Sequence, residues 1–336
     1  MNIIKLSRRL LTVLPMLLAL SAQGAETPQQ RMEQFIDDMV TRHDMERDQL
    51  QTLLAKGTFR QKIIDSFEKS AERTWAWKKY RKNFLNESRI VKGVKFWNKH
   101  LGLFKAASKQ FHIPQHILVA IVGVETHYGK RSGRTPVLDS LITQAFHYPK
   151  RAKFGRKELE AFLLLGRDEG IDLEAVKGSY AGAVGKPQFI PTSYRSYSVD
   201  FDGDGRRDLW NSDADIIGSI ANYFKDHGWR KGEPVTALSS GVKAAYEGFE
   251  KTDRKPKKPS IPFSELSAAG ITTDKPPGDD TLTTLIQLEG ADGDEYWLGL
   301  HNFYVITRYN HSNLYAMAVY QLSEELLERY QADAEQ

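Results

Sequence analysis

Residues 120–133, AIVGVETHYGKRSG, place a single acidic residue, Glu125, in an otherwise apolar run. The run reads as a helix that starts after His112-Ile113-Pro114, with proline suited to a first turn, and ends near Tyr128 at Gly129. A chain with such a helix must wrap it, and a wrapped carboxylate is costly unless it is paired, protonated or used. Ile121 and Val122 lie one turn before Glu125 and Tyr128 one turn after it. Burial and the C-terminal end of the helix dipole both disfavour the charged form, which suits an acid that must still carry its proton near neutral pH. The competing reading is a glutamate that turns to solvent at a helix end, the common fate of this residue type.

With 336 residues there is ample chain for such a core, in one large or two to three small domains. Residues 1–24 read as a cleavable export signal. Lys5, Arg8 and Arg9 form the basic segment, Leu10 to Leu20 the apolar segment, and Ala22-Gln23-Gly24 the cleavage site. The competing reading is an uncleaved anchor, although the apolar run is short for a bilayer. Three of the +4 formal charges sit in this segment, so the remainder is near +1, too balanced for a nucleic-acid binder. The absence of cysteine excludes disulfides, thiolate metal sites, a cysteine nucleophile and a lipid-modified N-terminal cysteine. A soluble protein of a bacterial periplasm is expected.

Along the chain, 25–111 has helical periodicity, as in Met32, Phe35, Ile36 and Met39. Within it ERTWAWKKYRKNF combines bases and aromatics, and is read chiefly as a packed helix entrance with wet lysines. Residues 112–231 should form the core, with further helices over Arg156–Leu165 and Asp215–His227 and a turn-rich stretch over 177–199. Residues 232–300 look like a small β subdomain. Its strands are expected near Glu233-Pro-Val-Thr, Thr281–Leu288 and Glu295–Leu300, around a Lys/Pro-rich insertion with a short helix near Phe263–Ala269. Residues 301–336 end in a helix over Ala316–Tyr330.

The most specific local pattern is DFDGDGRRD, residues 200–208. Asp200, Asp202, Asp204 and Asp208 occupy positions 1, 3, 5 and 9 of a calcium-type loop, with Gly205 at the turn and the Arg206 carbonyl at position 7. The glutamate expected at position 12 is replaced by Asn211, and Asp215 is the candidate to close the shell. The bland reading is an Asp-Gly turn without metal. If calcium binds, its expected role is structural.

The blocks VGVETHYG, GSYAGAVGKPQFIPTSY, VDFDGDG with LWNSDADIIGSIANYFKDHGW, and NFYVITRYNHSNLYAMAVYQL resemble the lytic murein transglycosylase B family, in the family's order and over nearly the whole chain after the signal. The resemblance implies a mainly α (α+β) fold with a lysozyme-like core and calcium loop, a helical part and a small β part. It implies Glu125 as sole catalytic acid/base, with Ser179 and Gln188 orienting it and contacting sugar. Tyr309, Asn310 and Tyr315 would line the site, and Tyr80, Lys150 and Arg151 would meet stem peptide or glycan. The implied partner is peptidoglycan, with cell-wall synthesis or division proteins as further candidates and no organic cofactor. Lys186-Pro187 before Gln188 and His127-Tyr128 after Glu125 depart from the family's usual residues. Two other functions fit the same residues: a lysozyme-type hydrolase, and a non-catalytic calcium-braced wall-binding protein.

Overall fold

The computed structural model describes residues 26–70 and 74–335, so the expected export segment lies outside the described residues. Helix α1 (Pro28–His43) opens on a capping box, in which Thr27 and Gln30 satisfy each other's backbone N–H groups. Helices α2 (Arg47–Lys56), α3 (Gln61–Glu68), α4 (Trp77–Phe84), α5 (Glu87–Lys99) and α6 (Leu101–Phe111) follow. In α4 the aromatic and basic cluster divides as expected. Trp77 and Tyr80 are buried, while Lys79 stays exposed and lies over the Trp75 ring at 4.4 Å.

Helix α7 (Gln115–Thr126) is the centre of the molecule, with every residue from Ile117 to Val124 buried. Fully burying a Val, Leu or Ile contributes about 1.5–3 kcal/mol, so this helix alone anchors the main core. It ends at Thr126 rather than Tyr128, because His127 and Tyr128 both adopt left-handed backbone (φ 53° and 59°). Their N–H groups bond the Gly123 and Val122 carbonyls, and Arg131 N–H takes that of Thr126. The turn folds Tyr128 back onto its own helix. A Cβ on Gly123 would stand 2.7 Å from the Tyr128 hydroxyl, and Gly93 on α5 faces the same phenol. Glycine is needed at both positions for close approach.

Helix α8 (Val137–Ile142) continues into a π-helical turn (Thr143–His147) and a 3-10 turn (Pro149–Arg151) before α9 (Ala152–Glu169), longer at both ends than expected. The two-residue strands β1 (Thr135–Pro136) and β2 (Lys177–Gly178) pair antiparallel. Helices α10 (Pro191–Tyr197) and α11 (Asp213–Asp226) complete the part of the core that precedes the sheet.

The texture change after Gly232 becomes a six-stranded sheet. Strands β3 (Thr236–Ser240), β4 (Lys251–Thr252), β6 (Thr272–Thr273), β7 (Leu282–Glu289) and β8 (Asp294–Gly299) lie in the order β4-β7-β8-β3-β6, and β5 (Ile261–Pro262) also pairs β7. The β7–β8 hairpin places Leu285 opposite Leu298 and Ile286 opposite Trp297. Glu233-Pro-Val leads into β3 without belonging to it, since Pro234 has no N–H to give a ladder. Helices α12 (Lys243–Glu247) and α13 (Phe263–Ala268) cover the sheet. Tyr246, Phe263, Leu266, Ile271, Leu285 and Leu298 form a second core there, while Ile286 and Leu288 of β7 reach the main one. The chain returns through α14 (His301–Tyr309) to α15 (Asn313–Ala334), which packs along α7. Among the described residues no helix is long and apolar enough to cross a membrane.

Candidate active site

Glu125 occupies the last turn of α7, half-buried. Opposite it, Ser312 caps α15 and so brings Tyr315 into that helix's first turn. The Tyr315 hydroxyl donates to Glu125 Oε1 at 2.6 Å across 190 residues of chain. Tyr309, at the end of α14, lies parallel to Tyr315 with ring centroids 6.3 Å apart, and its hydroxyl donates to the Pro187 carbonyl at 2.6 Å. Burial first, and then the charge of Glu125, hold both phenols well above their ordinary range. They therefore stay neutral hydrogen-bond donors at working pH.

Gln188 lies on a tight turn in which Val184 and Phe189 exchange backbone hydrogen bonds. Its own backbone is left-handed (φ 53°), and its side-chain amide donates to Gly185 O at 2.8 Å and Ser132 O at 3.1 Å. The turn is thus fastened to the segment that follows Glu125, and Tyr309 fastens it from the other side. Lys186 swings away to pair with Asp213 at 2.6 Å. Beside Gln188 opens a cleft of about 320 Å³ lined by Phe189, Tyr223, His227, Arg308 and Tyr309 among others, with no carboxylate in its wall. Tyr223 and His227 stack at 4.0 Å, and Tyr223 donates to Arg308 O at 2.6 Å. These two residues were not foreseen; their i, i+4 spacing on α11 was the available signal.

The remaining expected site residues fall in four places. Asn310 follows α14 directly, its carbonyl accepting from Ser312 N–H at 2.7 Å. The Ser179 hydroxyl oxygen accepts from Ala181 and Ala183 N–H at 3.2 and 3.1 Å and braces its own turn. Tyr80 is buried at 1 % exposure between Trp77 and Phe84, close enough to Tyr315 to act on its phenol electrostatically. Lys150 pairs with Glu68 at 3.2 Å. Arg151 lies over the Phe67 and Phe154 rings and bonds Gln144, so these two bases form a separate patch against α3.

A further residue that the sequence did not single out is Arg89 on α5, 7 % exposed. Its guanidinium donates to the Gly123 carbonyl and so sits at the C-terminal end of the helix that carries Glu125, where a cation is favoured.

In the acidic loop the carboxylates of Asp200, Asp202 and Asp204 offer oxygens within 4.8 Å of one another. Asp200 accepts from the N–H groups of Gly203, Asp204 and Gly205, and Asp204 from that of Arg206. Asp208 instead caps its own turn by accepting from Trp210 and Asn211. Asp215, 0 % exposed, stands outside the trio. Its two oxygens take the N–H groups of Phe201 and Asp208 at 2.7 and 2.8 Å, which pins the loop to α11. Burial, aided by the nearby Asp202 and Asp200, pushes its carboxyl up against those two bonds.

The transglycosylase SLT domain family model matches residues 27–324. The chain is 43% identical over 301 residues to the membrane-bound lytic murein transglycosylase B of Escherichia coli (strain K12), covering 87% of this chain and 81% of that protein. Its structure resembles that of the soluble lytic transglycosylase SltB1 from Pseudomonas aeruginosa, with a TM-score of 0.82, 44% identity and coverage of 89% of this chain and 99% of the other. It also resembles the Escherichia coli lytic transglycosylase Slt35 in complex with calcium, with a TM-score of 0.81, 41% identity and coverage of 89% and 93%. The span of the family model takes in both Glu125 and Tyr315, and the chain belongs to the transglycosylase SLT domain family as a lytic murein transglycosylase.

Proposed function

We propose that the enzyme cleaves the glycosidic bond between N-acetylmuramic acid and N-acetylglucosamine in peptidoglycan, with Glu125 serving first as acid and then as base. The observation that carries this reading is the Tyr315–Glu125 hydrogen bond at 2.6 Å, which the Tyr309 ring, parallel to Tyr315, connects to the wall of the cleft beside Gln188. Most glycosidases need two carboxyl groups; a site with one must draw the rest from its substrate.

In the first step Glu125 gives its proton to the glycosidic oxygen as the C1–O bond breaks, and the 2-acetamido group stabilises the cation developing at C1. In the second step the Glu125 carboxylate takes the proton from the muramoyl C6 hydroxyl while that oxygen bonds to C1. Atoms balance without water, and the product ends in 1,6-anhydromuramic acid. Tyr315, a buried neutral donor, stabilises the carboxylate between the two steps. Tyr309 and the Gln188 amide hold the turn that walls the sugar cleft. Ser179, Asn310, Lys150 and Arg151 are assigned to binding, with the Lys150–Arg151 patch meeting the outer glycan or its peptide, while the buried Tyr80 is assigned to supporting Tyr315 from behind.

Calcium at the acidic loop is assigned a bracing role. Three hard carboxylates gathered within 4.8 Å suit an oxygen-loving cation and repel one another without it, and the Arg206 carbonyl is assigned as a further ligand from its place in the loop. Asp215 would brace these ligands from behind through the backbone of Phe201 and Asp208. The signal-like residues 1–24 support export to the periplasm, where this polymer lies.

The test is mass spectrometry of purified peptidoglycan digested by wild type and Glu125→Gln. Anhydromuropeptides from wild type and none from the variant are expected, since the amide cannot donate the carboxyl proton. Reducing-end muropeptides from wild type would make the protein a lysozyme-type hydrolase, and intact glycan with both proteins would make it a wall-binding protein.

A further inference from the structure

A second cavity shares no residue with the cleft beside Gln188. It encloses about 1140 Å³ between the N-terminal end of α7, the face of α15 and the sheet. Its wall includes His116, and Glu125 lies nine residues further along the same helix, about 13 Å at 1.5 Å per residue. This cavity thus opens at the end of the catalytic helix opposite Glu125.

The wall is aromatic but not closed. Trp229, Trp297 and Tyr320 line it, and each keeps part of its ring exposed. The Trp297 and Tyr320 rings meet at 75°, which makes an apolar corner rather than a flat plate. Trp229 contributes apolar ring surface to the wall, since its Nε1–H is itself buried away from solvent. At the other wall His116 Nε2 and Glu324 Oε1 stand 3.9 Å apart, too far for a direct hydrogen bond and close enough for one ligand hydroxyl to touch both. Burial holds the His116 imidazole down at about 4, so it is neutral in use and can accept or donate.

Charge narrows the ligand further. Three Lys or Arg and four carboxylates line the cavity, a near-even mixture that gives no field to attract a polyanion or a basic peptide. Apolar corners with a few convergent donors and acceptors are the usual composition of a pocket for a neutral organic ring. A pyranose fits this description, because its C–H faces are apolar and its rim carries hydroxyls. We propose that this cavity is a second saccharide site that takes N-acetylglucosamine units of a β-1,4-linked glycan. The choice of that sugar rests on the peptidoglycan reading above. Its function would be to hold a neighbouring stretch of polymer while Glu125 acts on another.

The test uses the full chain carrying Glu125→Gln and chitotetraose, a β-1,4-linked N-acetylglucosamine tetramer, read by calorimetry and tryptophan fluorescence. Two chitotetraose sites per chain are expected, one of which disappears or weakens at least tenfold on Trp297→Ala or on the half-exposed Glu324→Ala. In the otherwise wild-type enzyme the same changes should slow release from intact sacculi several-fold and leave cleavage of a soluble muropeptide tetrasaccharide unchanged. A single chitotetraose site, or unaltered binding in both folded variants, overturns the proposal. So does fluorescence that responds to a Leu- and Lys-containing peptide but not to chitotetraose, which would mark a protein-docking groove. An enzyme that fails to release anhydromuropeptides yet keeps both chitotetraose sites would instead sink the catalytic reading and leave this one standing.

Discussion

Replacing Tyr315 by Phe removes one oxygen and leaves the ring in place, so it isolates the hydrogen bond to Glu125. That bond is 2.6 Å long and its donor residue is only 2 % exposed. A hydrogen bond to a charged group contributes about 1.5–3 kcal/mol, more than the same bond to a neutral one. In the proposed cycle Glu125 is a neutral acid before the first step and a carboxylate after it. The bond therefore strengthens as the reaction proceeds, and that difference appears in the rate. The same bond to a neutral acid contributes about 0.5–1.5 kcal/mol, so the difference is about 1–1.5 kcal/mol and kcat on a soluble muropeptide oligomer should fall roughly 5- to 12-fold. KM should move little, since the phenol is aimed at Glu125 and not at bulk substrate. Stability should change far less, with Tm within about 4 °C of wild type, because Glu125 is half-exposed and can rehydrate. The assay is the initial rate of anhydromuropeptide release by liquid chromatography and mass spectrometry, alongside a thermal melt. A kcat within twofold of wild type in a variant of unchanged Tm refutes the reasoning, because the bond would then contribute equally before and after proton transfer.

Gly123→Ala should destabilise the protein by about 1–3 kcal/mol in urea denaturation, because the new Cβ meets Tyr128 Oη at 2.7 Å and Cζ at 2.8 Å; a loss below about 0.5 kcal/mol would show that the phenol moves aside freely. Calcium should raise the melting temperature, worth about 2.7 kcal/mol at a hundredfold excess over its dissociation constant, and Asp202→Asn should weaken the response. The same melts refute the loop assignment if chelator and calcium give one curve. His116 titrates at about 4 in the folded chain against an ordinary 6.5, so the unfolded chain takes up the proton first as pH falls. Stability is then complete above about pH 6.5 and declines toward pH 4, by up to about 3 kcal/mol from this group. His116→Asn should flatten that decline, and an unchanged slope would remove His116 as its source.

Much of the molecule was legible before any coordinates. The apolar run around Glu125 could only be a wrapped helix, and the structure buries every residue from Ile117 to Val124. The change of texture after Gly232, the short helix near Phe263 and the buried Trp77 all followed from period and residue type, which act over a few neighbours at a time. The acidic loop was visible because alternate aspartates and glycine are a local pattern, and its three carboxylates do converge. What the tertiary structure decided lies between segments far apart in sequence. Tyr315 reaches Glu125 across 190 residues, and no local rule states which tyrosine of RYNHSNLY points at the acid. Helix α7 stops at Thr126 because Tyr128 finds a slot between Gly93 and Gly123, a fact of packing between two helices. Asp215 pins the loop to α11 because its oxygens meet backbone N–H groups 14 and 7 residues away. Periodicity reports which face a residue takes; only the packed chain sets which atoms that face then meets.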